Sequence, residues 1–143
     1  MFDRCVYFNL VTLTRRITKI WRTEFERLGL GPSHGYLLFA IVESPGASQK
    51  DLGDVMELDA SNITRMIEKL AHKGLVTKTS HGKGAAFTVT EDGRAAYRRV
   101  SAVMDALYAD MQARFGTEAF DHFVGDLRQA KDSLQKHEKE ATC

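Results

Sequence analysis

Residues 48 to 70, SQKDLGDVMELDASNITRMIEKL, contain two amphipathic stretches joined by the stub Glu57-Leu58-Asp59. The constraint lies inside the first stretch, at Gly53. Glycine in a helix costs roughly 0.5 to 1 kcal/mol relative to alanine, so its presence there marks a close approach. Two short helices crossing steeply need a residue without bulk where they touch. Leu52, Gly53, Met56, Leu58, Ile63 and Met66 fall where a helix-turn-helix places its contacts. Ser48 and Asp51 have capping-box spacing and open the first helix, with Leu52, Val55 and Met56 expected inward. Asp59 caps the second helix. Ile63, Met66, Ile67 and Leu70 should face inward there, and Asn62, Thr64, Arg65, Lys69 and His72 outward.

The remaining pattern frames this unit. From Val6 to Leu28 apolar residues recur at three-four spacing over more than six turns, which predicts a long helix ending near Gly29. Gly31-Pro32-Ser33 supplies a turn and cap for a second, strongly apolar helix that stops at Ser44-Pro45-Gly46. After Lys73-Gly74, the runs LVTKTS and AAFTVT read as two strands, with His81-Gly82-Lys83-Gly84 as a link slightly longer than the tightest hairpin. Thr90 caps a fifth helix carrying Tyr97, Val100, Met104, Leu107, Met111 and Phe115. A last helix from about Thr117 uses Phe120, Phe123/Val124, Leu127 and Leu134. The expected fold is mainly α with a small β-hairpin wing. It forms a single domain over 1–143, with a winged helix-turn-helix at about 31–92 flanked by dimerisation helices at about 5–28 and 93–138. The end helices carry more apolar stripe than one small core covers, so part of each is expected to pack against a second subunit.

The chemistry of the outward face points to nucleic acid. A helix presented tip-first to a major groove meets base edges with its first outward side chains, here Ser61, Asn62, Thr64 and Arg65. Asn can pair bidentately with adenine and Arg with guanine, and Ser or Thr reaches bases or phosphate. Lys69 on the helix, and Lys78 and Lys83 on the wing, suit phosphates, as do Ser48 and Gln49 at a helix N-terminus. Net charge is only +1, but Ala60 to Thr90 hold five cations against one acid, a local excess of +4. The competing reading is a plain N-cap followed by a solvated face. It leaves unexplained the helix spacing, the basic excess and the hairpin directly behind.

Taken together, LGLGPSHGYLLFAI, PGASQKDLGDVMELDASNITRMIEKLAHKGLV and FTVTEDG resemble the MarR family of bacterial transcriptional regulators, over about residues 5–134. The resemblance implies a homodimer built by the terminal helices, with two winged helices reading a pseudo-palindromic operator. It also implies a small-molecule effector pocket between dimer region and reading heads, for which Trp21, Phe25 and Tyr36 are the candidates beside a plain core role. Peroxide-sensing members place a reactive Cys in the first helix. That makes Cys5 the redox candidate, with Cys143 of a second chain as its possible mate; the alternative is a small apolar filler. The family wing carries an Arg braced by an Asp, whereas this one has Ser80-His81-Gly82-Lys83-Gly84-Ala85. A Lys lacks the planar fork, so weaker or less shape-selective wing binding is expected.

Other classes fare poorly. No apolar run reaches the roughly 18 to 20 residues that span a bilayer, no secretory leader is visible, and a cytoplasmic protein without membrane contact is expected. Gly82-Lys83-Gly84 is not a phosphate loop, and the five histidines and two cysteines show no metal-ligand spacing. No enzyme, cofactor or metal is therefore expected. The runner-up is a winged-helix protein-interaction module that does not bind DNA.

Overall fold

In the computed structural model the described residues are 2–81 and 84–141, with the backbone path alone for 79–86 and 136–141. After a 3-10 turn at Phe2–Arg4 come α1 (Val6–Glu26), α2 (Pro32–Glu43), α3 (Gln49–Met56) and α4 (Ala60–His72). Strands β1 (Val76–His81) and β2 (Gly84–Val89) follow, then α5 (Glu91–Phe115) and α6 (Thr117–Ala141). The chain divides into two compact units, Met1–Val103 and Met104–Cys143, the division falling inside α5.

In the first unit α2 is the hub, packing against α1, α3, α4 and β2. Its near-continuous apolar sequence is what a helix needs when several neighbours cover it. Leu37 and Leu38 are fully buried, as is Phe25 from α1, and each such side chain stabilises by about 1.5 to 3 kcal/mol. Phe25 reaches this depth because Gly35 lies beneath it: a Cβ there would fall 2.3 Å from the ring. Gly31 caps α2, with Pro32 in the first turn, so Ser33 lies inside the helix rather than at its cap.

Ser48 and Asp51 form the full capping box on α3. Leu52 and Gly53 are buried against α4, where Ile63, Ile67 and Leu70 face inward. Val55 departs from expectation, being 67% exposed. At three residues past Leu52 it lies to one side of the narrow stripe that this short helix buries, which runs through Leu52, Gly53 and half-buried Met56. Glu57 closes α3 in the left-handed region at φ 52°, and Leu58 N–H then donates to Gly53 O at 3.0 Å.

Gly74 takes φ 72° after α4, and Leu75 N–H returns to Leu70 O at 3.0 Å, stopping the helix. The strands pair antiparallel from Val76 opposite Val89 to His81 opposite Gly84. Gly82 and Lys83, on which the expected link falls, lie outside the described residues. Thr90 Oγ1 accepts from Gly93 N–H at 2.9 Å, the cap expected of it, and donates to Gly74 O at 2.6 Å. These bonds seat the start of α5 on the end of α4.

In the second unit Leu107, Met111 and Phe120 are buried. Phe120 meets Tyr108 edge-on at 5.2 Å and Phe115 at 5.7 Å. Tyr108 donates to Asp121 at 2.7 Å. The aromatic contacts end with Phe123, stacked on Phe115. Leu127 and Leu134, expected on the packed face of α6, are 39% and 67% exposed.

Gly53 and Gly93 are both helical glycines at close approaches, but not equally tight. A Cβ on Gly53 would meet Leu58 O at 3.0 Å, whereas one on Gly93 would fall 2.0 Å from Leu75 O and 2.7 Å from Val89 Cγ1. Gly93→Ala should destabilise by about 3 kcal/mol, typical of overpacking. Gly53→Ala should stay within about 1 kcal/mol, because gained helix propensity offsets a contact that relaxes by a few tenths of an ångström. Urea melts of the two variants check the ranking; equal losses would show that the Gly93 contact yields freely.

Candidate nucleic-acid interface

The exposed edge of the first unit is built on the N-terminal turn of α4. Asp59 caps it: its Oδ1 accepts from Asn62 N–H at 2.8 Å and from Ser61 Oγ–H at 2.7 Å, and its Oδ2 from Asn62 Nδ2–H at 2.8 Å. Those bonds hold the carboxyl below the usual aspartate range, the Asn62 backbone first and the Ser61 hydroxyl next. One turn on, Arg65 Nη2–H donates to Asn62 Oδ1 at 2.7 Å. Thr64 Oγ1–H donates to Ala60 O at 2.8 Å, and Gln49 from α3 bonds both Thr64 Oγ1 and Ala60 O.

The four expected readers therefore lie together but not free. Ser61, Asn62 and Thr64 all use their side chains within the protein, while Arg65 is exposed and has one guanidinium bond within the fold. Gln49, expected on phosphate, clamps α3 to α4, and Ser48 Oγ is engaged with Asp51. Both helix N-termini thus carry a carboxylate of their own, Asp51 on α3 and Asp59 on α4. Asp59 is more than the cap its sequence position suggests; the D-x-x-N-x-x-R spacing, three residues to each step, is the signal that marks the chain of contacts.

Farther along α4, Lys69 is exposed. Half-buried His34 on α2 has its imidazole pKa lowered, by burial first and then by the fields of Lys69 and Lys73. On the hairpin, Lys78 is exposed opposite Phe87 in the ladder. Lys83 and Cys143 lie outside the described residues. Cys5 is exposed and precedes α1 as its cap residue. Trp21, Phe25 and Tyr36 do come together: Trp21 Nε1–H donates to Tyr36 OH at 3.0 Å and Phe25 stacks on Tyr36 at 6.0 Å, with Phe25 fully buried. Among the described residues no helix is long and apolar enough to cross a membrane.

Three helices, a fourth that packs on the second and third with its tip exposed, and a two-stranded hairpin directly behind it make up a winged helix-turn-helix. A sequence model described as the MarR family matches residues 28–85. None of the curated proteins matches the chain in sequence. Solved structures share the fold at low identity. The transcriptional repressor CouR bound to a 23-mer DNA duplex matches with TM-score 0.84 at 17% identity, over 90% of this chain and 94% of that one. CouR from Rhodococcus jostii RHA1 bound to p-coumaroyl-CoA gives 0.77 at 22%, over 94% of each chain. The S. aureus MepR–DNA complex gives 0.82 at 12%, over 91% and 98%. The chain thus has the winged-helix fold, and its residues 28–85 match the sequence model of the MarR family.

The capping carboxylates give this edge a pH dependence. Asp51 is lowered chiefly by its bonds from the Ser48 hydroxyl and backbone, and Asp59 by those from Asn62 and Ser61. A carboxylate lowered in the folded state stabilises above its unfolded value, and that contribution is lost as pH falls through the ordinary 3.8 toward the lower folded value. Melting temperatures followed from pH 6 to pH 2.5 should fall more steeply for the wild type than for Asp51→Asn/Asp59→Asn. Parallel curves would mean the caps contribute nothing in that window.

Proposed function

We propose that the chain is a sequence-specific double-stranded-DNA-binding regulator, a homodimer that represses by occupying a pseudo-palindromic promoter site and answers to a small ligand. Exposed Arg65 at the tip of α4, held from behind by Asn62, carries this assignment. It is a planar cation with spare donors, placed where a recognition helix meets guanine. Lys69 and Lys78 suit flanking phosphates, as does Lys83 in the part of the wing outside the described residues. Within a single domain over 1–143, we assign 31–92 to DNA reading and the helices at about 5–28 and 93–138 to dimerisation. Val6 and Tyr7 in the first unit and Leu134 in the second support the dimer, being 72%, 75% and 67% exposed, apolar side chains of the kind a second copy would cover.

CouR, of the same fold, is known with DNA and with p-coumaroyl-CoA, which supports an effector here too. Trp21 and Tyr36 are its candidate contacts, with buried Phe25 as floor. Cys5 offers an alternative input, since its exposed thiol is open to an oxidant. An oxidant response that survives Cys5→Ser intact would remove that input.

Arg65→Ala should weaken a selected operator by about 1 to 3 kcal/mol while leaving random duplex nearly unchanged. Lys78→Ala should weaken both alike and lower the slope of log K against log salt by about one unit. Gel-shift titrations at several salt concentrations measure both. Equal loss on both DNAs would demote Arg65 to a backbone contact. No complex even at low salt would favour a protein-interaction module.

A further inference from the structure

The recognition tip contains more polar side chains than it leaves free to read with. Asn62 is spanned between a partner one turn behind it and another one turn ahead: its Nδ2–H donates to Asp59 Oδ2 and its Oδ1 accepts from Arg65 Nη2–H. An asparagine that pairs bidentately with adenine must offer its oxygen and an N–H along one edge. Here one N–H and one oxygen lone pair are committed to different protein partners, so adenine pairing would have to use the remaining N–H and lone pair in the orientation those two bonds impose, or give the bonds up. Thr64 and Ser61 are likewise engaged, with Ala60 O and Asp59 Oδ1. Arg65 differs, because a guanidinium carries five N–H groups and Asn62 occupies one.

We propose that Asp59 and Asn62 are positioning residues for Arg65, forming a relay of carboxylate, amide and guanidinium that leaves Arg65 the only direct base reader of this turn. The proposal rests on the DNA-binding reading above and specifies how that reading is achieved. The cap carboxylate fixes the Asn62 amide from both its backbone and its side chain. With its Nδ2 held, Asn62 must aim its oxygen up the helix, where it meets Arg65. Arg is long and flexible and loses rotamer freedom when it docks on a base. A strut already in place reduces that loss for the rotamer it selects, so the relay favours one guanine position over any generic phosphate contact. Specificity thereby depends on two residues that touch no base.

The experiment is selection from a random duplex library with the full-length wild type, Arg65→Ala, Asn62→Ala, Asp59→Ser and Asn62→Ala/Arg65→Ala, scoring base preference at each half-site position. Serine remains a good N-cap, and circular dichroism verifies that every variant is folded. The wild type should show one G·C pair whose preference falls about ten-fold or more in Arg65→Ala. Asn62→Ala and Asp59→Ser should each lose preference at that same pair, and the double variant should do no worse than Arg65→Ala. A helix merely loosened at its cap would lose preference evenly across the half-site, which overturns the relay. So does loss at a separate A·T pair in Asn62→Ala with the G·C pair intact, since Asn62 would then read adenine itself. If the folded wild type enriches no sequence, DNA reading itself fails and the relay falls with it.

Discussion

The approach of α3 to α4 at Gly53 is the contact on which the first unit's exposed edge depends. Gly53 is buried, and its carbonyl takes the returning N–H of Leu58 at 3.0 Å. The turn that ends α3 therefore also fixes where α4 begins. Ile63 lies beneath the same glycine, its Cγ1 3.7 Å from where a Cβ would stand. With Ile63, Ile67 and Leu70 committed to the core, the helical repeat leaves Ser61 and Arg65 facing out. Gln49 then ties the two helices through Thr64 and Ala60 O. The outward tip is a consequence of inward packing.

Much of this was legible because the informative residues break local preference. A glycine inside a helix, a serine three residues before an aspartate, and a threonine before Glu91-Asp92-Gly93 each act within one or two turns, where spacing alone fixes the contact. The element order, the capping box and the Thr90 cap could be read for that reason. Less legible were features that depend on phase in a short helix or on contacts distant in sequence. Val55 fits an apolar stripe on spacing alone, but the eight-residue α3 buries only the strip beside Gly53. Gly93 is tight against Leu75 O, 18 residues earlier in the chain, and only the fold brings the two together. At the tip Ser61 and Arg65 are exposed while Asn62 and Thr64 are half-buried, because Asn62 and Thr64 bond within the protein to partners that outward spacing alone does not reveal.

Charge along α4 shows how affinity and discrimination separate on the proposed reading. Its N-terminus carries Asp59 and its last turn Lys69 and His72, with Lys73 just beyond. Acid at the start and base at the end complement the helix dipole, so the pattern stabilises the helix whether or not DNA is present. It also leaves the two ends electrostatically unlike. At His34, burial first and then the fields of Lys69 and Lys73 disfavour a positive charge on the imidazole. Lys69 and Lys73 are both exposed there, as a phosphate-attracting surface requires. At the tip, by contrast, the Asp59 carboxylate offsets the Arg65 charge within two turns. A tip so balanced gains little from a bare phosphate, because the nearby anion opposes it, but loses nothing on guanine, whose O6 and N7 are neutral acceptors. Affinity without sequence choice is then supplied by the far end of α4 and the wing, and choice by a guanidinium whose generic attraction its own neighbour has reduced.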